Sequence, residues 1–534
     1  MNKMKTMGTF VKLNILFLSF FSTAVFATDI QWVRLPTKQL PLAAVHLTFE
    51  TGSAADPQGE EGITFLMAAL LREGGVKELS LGKEKLPARG RHAIEEYFYP
   101  LAADVQVSVR RDQTTLKLIC ETSHCSEIIG VLSQIMLAPA FDPQEFERLK
   151  TELTEDLERR APREDQEELG KQALENLMAM NAATPEWRGY GHSTFGRAKA
   201  VAHLKLDRIQ EYYLNSFLSA KLVVGVAGNL NAESEGKLKN LIEQIAIIKS
   251  QHPKKSVPES RVETSVAKKA PAVKMQLVEG PFEAVGMHFG MPISVTRGHP
   301  DFPALYLASQ GLGKHRVFVG RLMQVVREER GLNYGTYSYI EELPDGGTHL
   351  ITPVHVARRK QAFTVWVRPT SLENACFAFR QVFGEVESFS KQGLTPQEFK
   401  DTQKHLVGAV PLLALGLDRN LGFEMDSVFY GLPAKNLSRL QSKIRKLKFQ
   451  EVQAAVRRHF PQTNLDESMS AVVVTPDPSR FLKEISAPEC SIHYPAGVEK
   501  SPEIKREDAL IQKFKVPYGK ADETQTIKSE SIYE

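Results

Sequence analysis

Apolar and polar residues follow two different spacings along this chain. Short runs rich in β-branched and apolar residues predict β-strands at 42–49, 105–109, 114–119, 274–278 and 284–289. Longer charged stretches with helical spacing separate them, above all 143–160 and 165–181. Strands that alternate with long helices are typical of layered structures in which helices cover sheets. The pattern therefore predicts a protein of mixed helices and sheets, α/β or α+β.

Two sequence matches indicate an internal duplication. Pro-Gln-Glu-Phe occurs at 143–146 and again at 396–399, each time after a residue suited to cap a helix N-terminus. A second pair of segments, 209–217 and 452–460, shares apolar positions at the same spacing, and each leads into a β-branched run. Because order and context agree, we predict two similar domains in tandem.

The duplication and the composition divide the chain into five parts. The stretch between the repeats is polar, contains proline and lacks periodicity, so it is predicted to be a linker. The final stretch is polar and patternless, which predicts a tail or a segment that wraps a partner. The predicted parts are a leader 1–27, an N-terminal domain 28–250, a linker 251–270, a C-terminal domain 271–485 and a tail 486–534.

The first 27 residues have the order of an export signal. Three lysines precede the apolar run 13–21, and the small residues Ala24 and Ala27 follow where a signal peptidase would cleave. The alternative is an uncleaved anchor, but the run is short for a membrane span. No later stretch approaches ~18 uninterrupted apolar residues, so no span is expected after cleavage. We predict an exported protein, in a Gram-negative cell a periplasmic one.

Charge and cysteine content exclude several classes of protein. The chain has 67 basic and 64 acidic residues, and without the three lysines of the leader the two counts are equal. A nucleic-acid binder or a polybasic membrane binder needs a basic excess, so neither partner is expected. Four cysteines among 534 residues do not make a disulfide scaffold. Cys120 and Cys125 are close enough in sequence to pair, but the sequence leaves open whether they do.

Residues 28–485 resemble the M16 metallopeptidases, the group of pitrilysin, insulinase and the mitochondrial processing peptidase. Segments 52–62 and 73–75 are similar to those flanking the family's zinc motif, and 320–334 is similar to its second-domain signature almost residue for residue. The resemblance implies tandem α+β domains, each with an antiparallel-rich sheet covered by helices. Together they would form one half of a clamshell that closes around peptides.

The zinc motif of this family is absent from the chain. Active members carry His-x-x-Glu-His, with two zinc ligands and a general base on one helix. Here Phe65 and Ala69 stand at the ligand positions and Ala68 at the base, so no metal or other cofactor is expected in this chain. A carboxylate near the family's third ligand survives at Glu155-Asp156. The stretch His92 to Glu96 offers ligand types at one-turn spacing, but it suits an ordinary surface helix.

The second-domain signature is retained. The resemblance implies that Arg327 and Tyr334, seven positions apart, hold substrate at a zinc site. A phenol can donate to a developing oxyanion and a guanidinium can hold a peptide backbone; the alternative is an ordinary helix face and strand end. Gly311 and Gly313 fall where relatives have a glycine-rich substrate loop, although a plain turn would also use such glycines.

A lost zinc motif beside a retained Arg/Tyr pair resembles the split arrangement of some M16 enzymes. We predict a non-zinc, substrate-holding subunit of an exported heterodimeric peptidase. It would be inactive alone, with a homologous partner that carries His-x-x-Glu-His and zinc, and with a peptide as substrate. The alternative is a catalytically inactive M16-like scaffold or peptide-binding protein, which has no need of the pair. An independent zinc protease is disfavoured by the missing ligands.

Overall fold

A computed structural model of the chain describes residues 30–82, 84–182, 184–252, 273–343, 349 and 351–534. The predicted leader lies outside the described residues, as does the predicted linker apart from its first two positions. Gln251, the first of these, still belongs to a helix.

The N-terminal domain is one five-stranded sheet with a small hairpin and covering helices. Its strands are Ile30–Pro36 (β1), Leu42–Phe49 (β2), Leu79–Leu81 (β3), Glu84–Leu86 (β4), Val105–Val109 (β5), Thr114–Glu121 (β6) and Leu222–Gly228 (β7). Its helices are Ile63–Glu73 (α1), Arg91–Phe98 (α2), Cys125–Leu137 (α3), Pro143–Glu155 (α4), Ala161–Glu164 (α5), Gln166–Asn181 (α6), Ala198–His203 (α7), Leu206–Tyr212 (α8) and Ala232–Gln251 (α9). The main sheet has the order β1-β7-β2-β6-β5, and only the β1–β7 pair is parallel.

The C-terminal domain repeats this plan. Its strands are Met275–Glu279 (β8), Val285–Ile293 (β9), Thr336–Tyr339 (β10), Gln361–Thr370 (β11), Ser470–Thr475 (β12) and Thr524–Lys528 (β13). Its helices are Phe302–Gly313 (α10), Arg321–Met323 (α11), Ala375–Gln392 (α12), Pro396–Ala409 (α13), Leu417–Phe429 (α14), Asn436–Lys446 (α15), Phe449–His459 (α16), Pro478–Ile485 (α17) and Pro502–Gln512 (α18).

The two sheets confirm the predicted duplication and the α+β class. The second sheet has the order β10-β11-β9-β12-β8-β13. Its strands β8, β12, β9, β11 and β10 occupy the same relative positions as β1, β7, β2, β6 and β5 in the first sheet. The two Pro-Gln-Glu-Phe copies begin α4 and α13, where Asp142 and Thr395 accept hydrogen bonds from backbone N–H groups of the first turn. Sequence similarity therefore corresponds to structural equivalence.

One helix of each domain packs on the sheet of the other domain. Leu421 and Met425 of α14 pack on Ala44, Val223 and Ala227, which lie on the N-terminal sheet. In return, α6 lies on β9 and β12 of the C-terminal sheet. Both faces of each sheet are thereby covered, which explains why the central strands are buried along nearly their whole length rather than at alternate positions.

A buried hydrogen-bond chain crosses the same domain contact. The Nε2 atom of His46 on β2 lies 2.8 Å from a carboxylate oxygen of Asp418, at the start of α14. The Nδ1 atom of His46 lies 2.9 Å from Nε2 of His355, which is also a C-terminal-domain residue. Because these polar groups satisfy one another, the contact between the domains is specific as well as apolar.

The prediction of a patternless tail at 486–534 is wrong. The segment forms α18 and then β13, which pairs in parallel with β8 and extends the sheet by one strand. Its start is fixed by a disulfide between Cys376 and Cys490, with the two Cα atoms 6.0 Å apart. Its end returns to the N-terminal domain, where Ala198 donates a backbone hydrogen bond to Tyr533. The segment packs along its own chain. Because most of its residues are polar and few are buried, the sequence shows no hydrophobic pattern that would indicate these elements.

Cys120 and Cys125 are also paired, which answers the question left open by the sequence. Cys120 lies on β6, Cys125 begins α3, and their Cα atoms are 5.3 Å apart.

Among the described residues, no single helix is both long and apolar enough to cross a membrane. One bent pair, 396–414 with 417–429, meets the length and composition requirement.

Candidate functional site

The helix at the degenerate zinc motif forms part of a cavity wall. On α1, Leu66, Met67 and Leu70 are buried in the core of the N-terminal domain. Phe65, Ala68 and Ala69, the three positions of the lost motif, line the cavity instead. One side of α1 therefore packs in the core of the domain and the other faces the cavity.

The cavity lies between the two domains and has a volume of about 590 Å³. Its N-terminal-domain walls come from α1, from β5 and the residues just after it, and from α6. Its C-terminal-domain walls come mainly from β11, with His288 of β9, and Tyr533 of the C-terminal segment closes one part. A space of this size is within the range of ligand-binding cavities.

The walls offer apolar surface and balanced charge, and the three motif positions contribute only apolar side chains. Phe65 packs edge-on against Phe195, with ring centroids 4.8 Å apart, and fills the place of a ligand with an aromatic ring. No zinc ion could be held by Phe65, Ala68 and Ala69, because none of them carries a donor atom or a base. The residues present do not fit the metal that the family uses.

One carboxylate of the cavity wall, that of Glu175, is neutralised by arginines. Glu175 pairs with Arg358 at 2.7 Å and also with Arg111. Burial by itself would raise the pKa of Glu175, but the charges of Arg111 and Arg358 outweigh burial and hold that pKa below its ordinary value. A carboxylate that stays ionised in two ion pairs is a poor general acid or base, so it organises the domain contact instead.

Several buried polar atoms of the cavity walls lack a partner among the described residues. They belong to side chains contributed by both domains, namely Arg111, His288, Gln361 and Trp366. Burial lowers the pKa of His288 to about 3, so that its imidazole is neutral near pH 7. A buried polar atom without a partner is rare, and in a cavity wall it indicates capacity for a bound ligand or water.

The family's third-ligand position does not contribute to this cavity. Glu155 is exposed at the end of α4, and Asp156 pairs with Arg160. Neither residue is among those that line the cavity. The surviving carboxylate is therefore part of an ordinary charged helix surface.

Arg327 and Tyr334, predicted as a pair, lie together. Arg327 is on a π-helical turn, Gln324–Glu328, and Tyr334 lies just before β10. The Arg327 Nη1 atom donates a hydrogen bond to the Tyr334 carbonyl oxygen at 3.1 Å, and the guanidinium lies 5.0 Å from the Tyr334 ring centroid. The arginine thus holds the tyrosine by its backbone and by its ring face.

This pair faces outward and is separate from the cavity. The Tyr334 residue is 72% exposed, and Phe318, whose ring centroid lies 4.8 Å from the Arg327 guanidinium, is 52% exposed. Neither Arg327 nor Tyr334 lines the space beside Phe65 and Ala69. The structure therefore brings the two predicted substrate-holding residues together but does not bring them to this chain's own zinc-motif positions.

Gly311 and Gly313 are not in a substrate loop, and that prediction is wrong. Both lie within α10 and are buried. A Cβ atom at Gly311 would come 2.8 Å from a methyl group of Leu394, and one at Gly313 would come 2.9 Å from the backbone nitrogen of Ser338. Close packing requires glycine here, which a sequence motif cannot separate from loop flexibility.

Two further groups resemble metal sites and have simpler explanations. His92 and Glu95 are exposed on α2, with Ile94 and Phe98 facing inward, as expected of a surface helix. His299, Asp301 and His459 form the one cluster of three ligand types found in the described residues. Arg458 binds both oxygens of Asp301, at 2.7 and 3.0 Å, so that carboxylate already has a cation.

The cavity walls were not found by sequence reasoning. The pattern predicts β5 as a strand, but not that it is the edge strand of its sheet. The contribution of β11 and of Tyr533 depends on how the domains meet. These segments lie far apart in the sequence, so no local pattern indicates that they meet.

Together the fold and the site define a class: a duplicated α+β unit with a cavity between its domains and no donor atoms at Phe65, Ala68 and Ala69. Two domain models of one family match the chain. The model described as insulinase (peptidase family M16) matches residues 33–184, and the model described as the peptidase M16 inactive domain matches residues 203–406. The chain belongs to the M16 peptidase family.

Two curated relatives share most of this length. The chain is 25% identical over 435 residues to a Helicobacter pylori protein named non-peptidase homolog YmxG. This alignment covers 81% of this chain and 89% of the relative. It is 21% identical over 372 residues to a Bacillus subtilis protein named uncharacterized zinc protease YmxG, with coverages of 66% and 80%. The two names differ in whether they imply peptidase activity.

Solved structures with the same fold include an M16 inactive domain from Pseudomonas fluorescens. The superposition has a TM-score of 0.67 at 20% identity and covers 84% of this chain and 97% of that chain. The first half of the periplasmic protease PqqL from Escherichia coli superposes with a TM-score of 0.57 at 14% identity, covering 91% and 96%. At these identities the likeness concerns the fold alone.

Proposed function

We propose that this chain is the non-zinc, substrate-holding subunit of an exported heterodimeric M16 zinc peptidase. Its Arg327 and Tyr334 would act at the zinc site of a homologous partner that carries His-x-x-Glu-His. The chain by itself would neither hold zinc nor cleave peptides.

The observation that carries this proposal is the outward position of a preformed pair. Arg327 fixes Tyr334 through the 3.1 Å hydrogen bond, yet the tyrosine is mostly exposed and lies outside this chain's own cavity. An exposed aromatic ring held by a cation, with exposed Phe318 beside it, is suited to meet a second molecule. In a heterodimer whose two chains face each other as clamshell halves, Tyr334 of this chain would contact the partner.

The chemistry divides between the two chains. The partner would supply the zinc ion and the activated water. From this chain, the Tyr334 hydroxyl would donate a hydrogen bond to the substrate carbonyl oxygen as that oxygen gains negative charge. Arg327 would keep the phenol in place and bind the peptide backbone with its guanidinium N–H groups. Both tasks need donors and neither needs a metal in this chain.

Export is supported by the N-terminal sequence and by the cysteines. The leader 1–27 has the charged, apolar and small-residue order of a secretory signal. All four cysteines are paired, as Cys120–Cys125 and Cys376–Cys490. Stable disulfides are typical of exported proteins and rare in the reducing cytosol. One protein with the same fold is described as periplasmic.

A second candidate is a peptide-binding or scaffold protein without a catalytic role. It is favoured by the cavity of about 590 Å³ and by β5, which lines the cavity and has no strand partner on its outer edge among the described residues. An extended peptide could pair with such an edge through its backbone. The name of the H. pylori relative, non-peptidase homolog, is consistent with this candidate.

The deciding experiment is reconstitution with a zinc-bearing homologue. The mature chain is co-purified with an M16 chain of the same organism that carries His-x-x-Glu-His, and complex formation is measured by size-exclusion chromatography. Cleavage of a quenched fluorescent peptide library is then compared for the mixture and for each chain alone. We expect cleavage by the mixture only.

The matched variants are Arg327→Ala in the pair and Arg457→Ala on an exposed surface of α16. Arg327→Ala should lower kcat/KM because it loosens the tyrosine and the substrate together. Arg457→Ala should leave cleavage unchanged. A mixture that forms a complex and cleaves equally well with both variants would refute the subunit proposal and favour the scaffold.

A further inference from the structure

The segment between Arg327 and Tyr334 contains a fully buried cation. The Arg330 side chain has no exposed surface. Its Nε atom donates to Asp508 at 2.8 Å, and its Nη2 atom donates to Glu507 at 2.9 Å. Its Nη1 atom donates to the carbonyl oxygen of Val325 at 2.9 Å. A buried guanidinium is tolerated only when its donors are satisfied in this way.

The acid that faces Arg330 belongs to the C-terminal segment 486–534. Asp508 lies on α18 and is 4% exposed. Its second oxygen accepts a hydrogen bond from the Tyr494 hydroxyl at 2.7 Å. Lys500 of the same segment donates to the carbonyl oxygen of Glu329 at 2.6 Å. Glu507, Asp508 and Lys500 of this segment therefore contact positions 329 and 330 directly.

The C-terminal segment is itself anchored to the domain. The Cys376–Cys490 disulfide attaches it to α12. The buried Arg380 guanidinium donates to the carbonyl oxygens of Ala487 at 2.5 Å and Pro488 at 3.3 Å. Strand β13 adds to the sheet beside β8. Asp508 is thus held by the domain and is a fixed point for the Arg330 side chain.

Fixing Arg330 fixes the turn that joins the pair. The next residue, Gly331, donates its N–H to the carbonyl oxygen of Arg327 at 2.7 Å, and Leu332 donates to Val326 at 3.0 Å. Gly331 has φ +69°, in the left-handed region, which reverses the chain direction. The turn places the Tyr334 carbonyl within reach of Arg327.

We propose that the C-terminal segment 486–534 is a brace that holds the Arg327–Tyr334 turn in place, with Asp508 as its positioning residue. The catalytic consequence of this brace rests on the proposed function, whereas its effect on the turn does not. Asp508 would touch no substrate and would act through Arg330. The other acids on Arg330, Glu329 and Glu507, have side chains 36% and 58% exposed and are screened by water.

The test replaces the buried acid in the full chain. Asp508→Asn keeps the shape of the side chain and removes its charge, while Glu507→Gln is the matched control on the same arginine. Backbone hydrogen–deuterium exchange is followed by mass spectrometry. Loss of a charged hydrogen bond should make the amides of 327–334 exchange about 10–100-fold faster. The control should stay within about twofold, and the N-terminal domain should not change in either variant.

A second measurement separates positioning from fold stability. In the reconstituted complex, Asp508→Asn should lower kcat about tenfold. KM and partner association should stay unchanged, because the substitution displaces the 327–334 turn and leaves the surfaces that bind substrate and partner in place. If the wild-type complex does not cleave peptides, the proposed function fails, while the exchange measurement still decides the brace.

Two results would overturn the brace. One is exchange of 327–334 in Asp508→Asn at the wild-type rate. The other is equally faster exchange throughout the C-terminal domain, which would make the ion pair a general support of the fold. If Asp508→Asn does not fold, Lys500→Met carries the test, since Lys500 touches the same turn from its surface. It should raise the exchange of 327–334 at least about twofold, and an unchanged rate would refute the proposal.

Discussion

The sharpest prediction concerns the Tyr334 hydroxyl group. Tyr334→Phe removes one oxygen atom and leaves the aromatic ring, which lies 5.0 Å from the guanidinium of Arg327 and 6.0 Å from that of Arg368. Because the residue is 72% exposed, losing the hydroxyl should change the free energy of unfolding by less than about 0.5 kcal/mol. Any loss of activity would then come from the reaction and not from the fold.

The expected loss follows from the task proposed for the phenol. A preorganised donor to an oxyanion contributes about 2–4 kcal/mol to transition-state stabilisation. With about 1.36 kcal/mol for each tenfold change, kcat should fall about 30- to 1000-fold. The substrate carbonyl in the ground state is a poorer acceptor, so KM should change much less.

The assay is steady-state cleavage of a fluorogenic peptide by the reconstituted complex. Tyr99→Phe is the control, since Tyr99 is also an exposed tyrosine, at 89%, but lies in the N-terminal domain. Thermal melting and size-exclusion chromatography should be the same for both variants and the wild type. If Tyr334→Phe forms the complex and cleaves at the wild-type kcat, the phenol is not an oxyanion donor and the reasoning is wrong.

Three further predictions follow from the described contacts. The purified chain should hold less than one tightly bound zinc ion, because Phe65, Ala68 and Ala69 carry no donor atoms; stoichiometric zinc by elemental analysis would contradict this. Cys376→Ser should lower the free energy of unfolding in urea by about 4–5 kcal/mol, since the Cys376–Cys490 bond closes a loop with sequence separation 114; an unchanged unfolding midpoint would contradict this. The folded pKa of His288, about 3, lies below the unfolded value, so the contribution of His288 to the free energy of unfolding, fully present above pH 6.5, should fall by about 1.4 kcal/mol per pH unit between pH 6 and 4; the difference in slope between urea titrations of wild type and His288→Gln measures this contribution, and equal slopes would contradict it.

The elements and the duplication could be predicted because they depend on local pattern. Runs such as 42–49 are too apolar and β-branched to be surface helices, and α4 and α13 begin with the same capped proline turn. Both signals lie within about ten residues of sequence and need no knowledge of distant contacts. The meeting of Arg327 and Tyr334 was predictable for the same reason, since a single short turn joins them.

The misjudged features all depend on contacts between distant parts of the chain. Gly311 and Gly313 are glycines because Leu394 and Ser338 approach them, and neither approach is visible in the local sequence. The C-terminal segment was misjudged because β13 is an edge strand with a polar outer face. A strand with few buried positions has little hydrophobic pattern, although its backbone pairing is regular.

By itself, the sequence of this protein determined that the zinc-binding chemistry of the family's motif is absent. Phe65, Ala68 and Ala69 cannot bind zinc in any conformation, because donor atoms are a property of the side chain and not of its position. Only the tertiary structure decided that these positions line a cavity between the domains, that Tyr334 faces away from it, and that Asp508 is buried against Arg330. Those facts arise from the packing of two sheets and from a C-terminal segment that returns across both domains, and such long-range geometry is not encoded in any local pattern.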